Sequence, residues 1–266
     1  MTTRVSTGLR NGILGGLGLL GMLNRGYIKV FAGSQPLTAD AADTAYTALG
    51  TFTTSSGALT KETRATGTIT VTGVGVGTIN TVTVGGLNII PDGAVSSTGS
   101  DTTSTLATKL CDAINRNGIM EARVAAAVVT IRGRPGSGAI TAAITGSNTT
   151  VTTTYGTPMA SGVAPANGLI LGPSGSLLGV ETAGVIAKPS DQVWSCNASA
   201  TGTAGWYRFY SSDTADTGAL LSAAPWYPRI DGVCGVGSGE LQLSTLAFTS
   251  GSPVTVDSWK FTMPAA

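Results

Sequence analysis

The chain has 266 residues, with 15 Lys and Arg against 14 Asp and Glu, and contains no histidine. An apolar fraction of 42% excludes a disordered chain, which is apolar-poor and strongly charged, and a net charge of +1 provides no basic field for a nucleic acid. Without histidine the usual general base at neutral pH and the commonest metal ligand are missing, which argues against hydrolytic triads and most zinc sites.

In chain order, residues 12–23 (GILGGLGLLGML) form the most hydrophobic stretch, bracketed by Arg10 and Arg25. The run is shorter than the roughly 20 apolar residues a membrane span needs. Leu23-Asn24-Arg25-Gly26 follows where a signal peptide would carry a small-residue cleavage site, so export is the lesser reading. The spacing predicts an amphipathic helix with Ser6 as N-cap and Leu9, Ile13, Leu17 and Leu20 on one face. Gly8, Gly12 and Gly16 weaken that helix, so it needs packing under a sheet or against a symmetry mate.

Residues 27–31 alternate and predict a strand, 38–49 a short helix or loop, and 49–52 an extended segment. Residues 68–72, 81–84 and 87–90 predict short antiparallel strands joined by glycine turns. One helix stands out: Asp101 to Thr105 supply caps, Leu106, Leu110, Ala113 and Ile114 recur at three and four, and Asn117-Gly118 closes it. Residues 124–132 and 140–155 return to strand, giving 64–160 the order of a small α+β module. Further strands are expected at 169–171, 185–187, 192–196, 205–210, 230–232, 241–243 and 254–263. The expected fold is therefore mainly β: an antiparallel β-sandwich or barrel, residues 1–63 plus 161–266, split by an inserted α+β domain, 64–160.

Candidate chemistry is sparse. Gly73 to Gly77 and Gly133 to Gly138 lack the Lys-Ser/Thr and following helix of a phosphate loop. Asp40/Asp43 and Asp213/Asp216 lack calcium-site spacing and read as solvated loop or cap residues, and Asp112 and Glu121 are too isolated for an acid–base pair. Cys111, Cys196 and Cys234, odd in number and without CxxC spacing, read as buried reduced thiols. No catalytic, cofactor-binding or metal-binding residue is expected. Trp194, Trp206, Trp226 and Trp259 concentrate in the last third and read as core plus interface. Trp226 and Tyr227, between Pro225 and Pro228, form a candidate interface anchor, alongside Leu9, Ile13, Leu17 and Leu20. Only 11% of residues are charged, against roughly 25% in typical soluble domains, which suits a surface packed against neighbours.

Several segments resemble a family of small virion structural proteins of tailed bacteriophages. They are Leu9-Arg10-Asn11-Gly12, Ile28 to Pro36, Thr203 to Tyr210, Ile230 to Val233, Gly239 to Leu243 and Phe261 to Pro264, covering residues 1–55 and 165–266. Residues 64–160 depart from that family's compact form and are similar to modules embedded in phage tail and surface proteins. The resemblance implies a capsid decoration protein: a homo-oligomer such as a trimer, bound to the major capsid protein or other virion proteins. It implies a β domain docked on the virion with the inserted domain projecting, assembly in the host bacterial cytoplasm, no enzyme activity, and neither a nucleic-acid nor a membrane partner. The alternatives are a tail, collar or fibre-base protein, or a module that binds host glycans.

Overall fold

The computed structural model describes residues 3–14, 18–134, 137–172, 185–214, 216–219 and 227–262. The elements run β1 (Arg4–Val5), α1 (Thr7–Leu14), α2 (Leu19–Leu23), β2 (Tyr27–Ala32) and β3 (Ala48–Thr54). Then come β4 (Thr66–Gly73), β5 (Gly77–Val84), β6 (Leu87–Asn88), β7 (Val95–Ser97), α3 (Thr103–Asn117), β8 (Glu121–Ala125), β9 (Val128–Arg132), β10 (Ile144–Thr149) and β11 (Thr152–Tyr155). The chain continues with β12 (Val185–Ala187), β13 (Trp194–Asn197), β14 (Gly202–Tyr210), β15 (Arg229–Gly235), β16 (Leu241–Leu243), β17 (Ala247–Phe248) and β18 (Pro253–Thr262). The fold is mainly β, and its contacts divide it into two compact units: Met1–Lys61 with Pro165–Ala266, and Glu62–Ala164.

In the first unit seven strands close on themselves in the order β15-β14-β2-β3-β13-β18-β16, with β16 returning to β15. A barrel, not a two-sheet sandwich, is therefore the architecture, and closure removes the exposed edges of an open sheet. Six of the seven pairings are antiparallel, and β15–β16 is parallel, with Cys234 opposite Leu241. Parallel neighbours normally need a crossover of a dozen residues or more. Here the glycine-rich segment 236–240 makes the return, with Gly237 and Gly239 at φ of 65° and 88°, a region other residues rarely enter.

Strand alternation fills the barrel. Ile28, Val30, Phe52, Trp194, Tyr207, Phe209, Ile230, Leu241, Val256 and Trp259 share one buried core with Leu9, Leu19, Met22 and Leu23 from the two helices. Fully burying each such side chain contributes about 1.5–3 kcal/mol. The expected N-terminal helix is thus two, α1 and α2, docked on the chain's own core. Ser6 does cap α1: its Oγ accepts from the Leu9 amide at 3.1 Å and donates to the Tyr227 carbonyl at 2.9 Å. Residues 169–171 form no strand; Leu169 makes only an isolated bridge to Gly26.

The second unit holds α3 and two four-stranded sheets, β10-β5-β6 with β7 on β5, and β11-β4-β9-β8. Thr102 and Thr105 cap α3 reciprocally, and Gly118 at φ 61° ends it. Leu106, Leu110 and Ile114 on its inner face pack into a core with Ile69, Val82, Val129 and Ile131. The Asn115 side chain bonds both the amide and the carbonyl of Ala122 (2.8 and 3.0 Å), closing part of the β8 edge.

Candidate functional site

The residues expected at an interface differ in how much of their surface the fold leaves open. Leu9 is fully buried, so its apolar surface is consumed inside its own unit, correcting the expectation that it faces a partner. Ile13 and Leu20 pack partly buried against the same core, and Tyr227 is half-buried. Leu17 and Trp226 lie outside the described residues.

A different assembly emerges on the outer face of the barrel, where a polar surface is the ordinary outcome. Strands β2, β14 and β15 bury both faces. Their outward residues form three cross-strand rows: Phe31–Trp206, Lys29–Arg208–Asp231 and Tyr27–Tyr210–Arg229. Two irregular straps, 33–47 and the described residues 211–214 and 216–219, interact with this layer through Asp43, Tyr46, Ala41, Asp216 and Ala219. Arg208 forms a fork with Asp231 at 2.6 and 2.7 Å, both side chains fully buried, and donates to the Ala41 carbonyl at 2.6 Å. Arg229 grips the Asp216 carboxylate through Nε at 3.0 Å and through Nη2, and reaches the Ala219 carbonyl at 3.2 Å. Asp43 accepts from Lys29 Nζ at 3.1 Å and from the Tyr210 hydroxyl.

Aromatic rings fill the spaces between these charges. Phe31 stacks on Trp206 with centroids 4.3 Å apart, Tyr27 stacks on Tyr210 at 4.9 Å, and Tyr46 meets Trp206 edge-on. The Arg229 guanidinium lies 5.6 Å from the Tyr210 ring centre, and Lys61 Nζ lies 4.8 Å above Tyr27. Burial pushes the Tyr27 and Tyr210 hydroxyls well above the ordinary tyrosine range and lowers the Lys61 ammonium. Each carboxylate here is matched to a cation, and the hydroxyls stay protonated. The arrangement fastens two loops to a sheet.

The reading of Asp43, Asp213 and Asp216 as solvated is therefore corrected: all three are buried. Asp40 alone acts as a cap, accepting from the Thr7 amide at 2.9 Å and its hydroxyl at 2.7 Å. Glu121 pairs with Arg64 at 2.6 Å. A signal for this layer existed in Trp206-Tyr207-Arg208-Phe209-Tyr210, where large side chains fall on both faces of one strand. Among the described residues no three Cys, Asp or Glu side chains gather where they could hold a metal ion, and no helix is long and apolar enough to cross a membrane.

The fold and this layer define a closed β-barrel protein whose outer face is braced by internal ion pairs. No protein-family model matches the chain, and no curated protein matches it well enough to indicate a relative.

Proposed function

We propose that the chain is a structural protein of a tailed-bacteriophage virion, in the first place a capsid decoration protein that binds the major capsid lattice and performs no catalysis. The carrying observation is the braced face: of a charge-poor chain's few charges, Arg208, Arg229, Asp216, Asp231 and Asp43 are all placed inside, where they pin loops. That use of charge suits a rigid part whose exterior is left for weakly charged contacts. The resemblance of the order of segments to that of small virion proteins gives the reading its particular form. In it the barrel is the docking domain, the 62–164 unit is an inserted α+β module, and a homo-oligomer braces the shell by multiplying modest contacts over a symmetric lattice.

Quantitative mass spectrometry of purified particles tests this. Hundreds of copies per particle support decoration. A few copies support a tail, collar or fibre-base position. Absence from the particle overturns both.

A further inference from the structure

A cleft of about 270 Å³ lies in the second unit, between α3 and the segment Asp92–Ser96. Its volume is just below the range of about 300–1,000 Å³ typical of pockets for drug-sized ligands, which limits an occupant to about one sugar ring. Asp92, Asp112 and Arg116 line it, and none of these three side chains makes a hydrogen bond or ion pair among the described residues. Lys109 also lines it, but its charge is already committed to Asp101 at 2.8 Å. Buried Val95 and Ala113 supply apolar lining.

What remains uncommitted is the Asp112 carboxylate and the Arg116 guanidinium on the C-terminal half of α3, and the Asp92 carboxylate from the facing segment. That set carries net negative charge, and the helix end adds to it, so an anion is disfavoured. Two carboxylates accept up to four hydrogen bonds each and the guanidinium donates five, a set matched by the vicinal hydroxyls and ring oxygen of a pyranose. Its C–H face would meet Val95 and Ala113. From this geometry we propose that the cleft binds a single neutral hexopyranose unit of a surface glycan. The inference stands on the cleft alone and does not require the virion reading.

The test is saturation-transfer NMR of the full chain with methyl α-glucoside, methyl β-galactoside and methyl α-mannoside. Saturable binding of at least one is expected, with a dissociation constant on the order of 1 mM for a ligand of about a dozen heavy atoms. Asp112→Ala and Arg116→Ala sit at exposed helix positions where Ala is the best helix former, so both should fold. Each should weaken binding at least roughly tenfold, the loss of one well-placed charged hydrogen bond, with an unchanged melting temperature. Asp257→Ala, on the barrel, should leave binding unchanged. No binding by any of the three glycosides overturns the proposal. So does binding that persists in both helix variants, or binding by glucuronate in preference to the neutral sugars. Particle incorporation of Asp112→Ala reports separately on the virion reading, because a chain that fills particles yet binds no sugar fails only this inference.

Discussion

The Asp43 amide donates to the Gly218 carbonyl at 2.9 Å, and this bond ties the two straps over the barrel face to each other. The Asp43 carboxylate accepts from Lys29 and Tyr210 beneath, while the Gly218 amide donates to the Asp216 carboxylate at 3.1 Å. One short contact thus joins two ion-paired anchors from segments about 170 residues apart in sequence, and the straps behave as one cover.

Gly218 sits at φ 83°, and a Cβ there would fall 2.2 Å from the Asp43 carboxylate. Gly218→Ala should therefore destabilise the barrel unit by about 1–3 kcal/mol through backbone strain and the displaced anchor. Hydrogen exchange should show lost protection at the Asp43 amide first. Unchanged exchange there would refute the linkage between the straps.

Asp231→Ala should cost about 3–5 kcal/mol in urea unfolding, because it strands the buried Arg208 guanidinium. Arg208→Met combined with Asp231→Leu should cost less than that single change, since no unpaired charge remains. A residual loss is expected because Met cannot donate to the Ala41 carbonyl. Additive losses in the two single variants would show that the pair is not coupled.

Asp101 accepts from Lys109 at 2.8 Å and from the Thr98 amide at 2.6 Å, and the Lys109 bond leads in lowering its carboxyl pKa from 3.8 to about 2. A depressed carboxyl pKa stabilises the fold above the ordinary value and loses that contribution as pH falls through the folded one. The window is therefore between about pH 4 and pH 2. Carbon-detected NMR titration should place Asp101 near the lower limit, and Lys109→Met should move it up toward 3.8. No movement would assign the shift to the Thr98 contacts instead.

All three cysteines are free and buried, and burial pushes the Cys196 thiol up to about 12 and raises those of Cys111 and Cys234. Iodoacetamide at pH 8 should leave the folded chain unmodified and label three sites after unfolding in guanidinium. Rapid labelling of the native protein at any one thiol would show local opening of the core around it.

The helix α3 was the most legible element in the sequence, because its signals agree: caps at Thr102 and Thr105, apolar residues at three and four, and Gly118 to stop it. Strands β2 and β5 were legible by alternation, β14 by its run of aromatic residues and β18 by its apolar anchors Val256, Trp259 and Phe261. The N-terminal helix was half legible. Ser6 and Leu9 announce its start, but glycine-rich spacing carries too little propensity to fix a single helix, and packing divided it. Strands β1 and β17, two residues each, leave no periodicity to detect.

The acidic residues mark the limit most clearly. Asp43 and Asp216 stand in polar loops that look solvated locally, and nothing near them in sequence names Tyr210 or Arg229 as partners. The cleft beside α3 was equally hidden, since Asp112 stands alone in sequence and only the fold places it and Asp92 along one cleft. Composition and alternation determined a β-rich chain with little use for charge, because burial period and turn chemistry are local properties. Closure into a barrel, and which charges ended inside it, was decided by tertiary structure, because pairing across long sequence separations depends on which faces the closed sheet leaves to be covered.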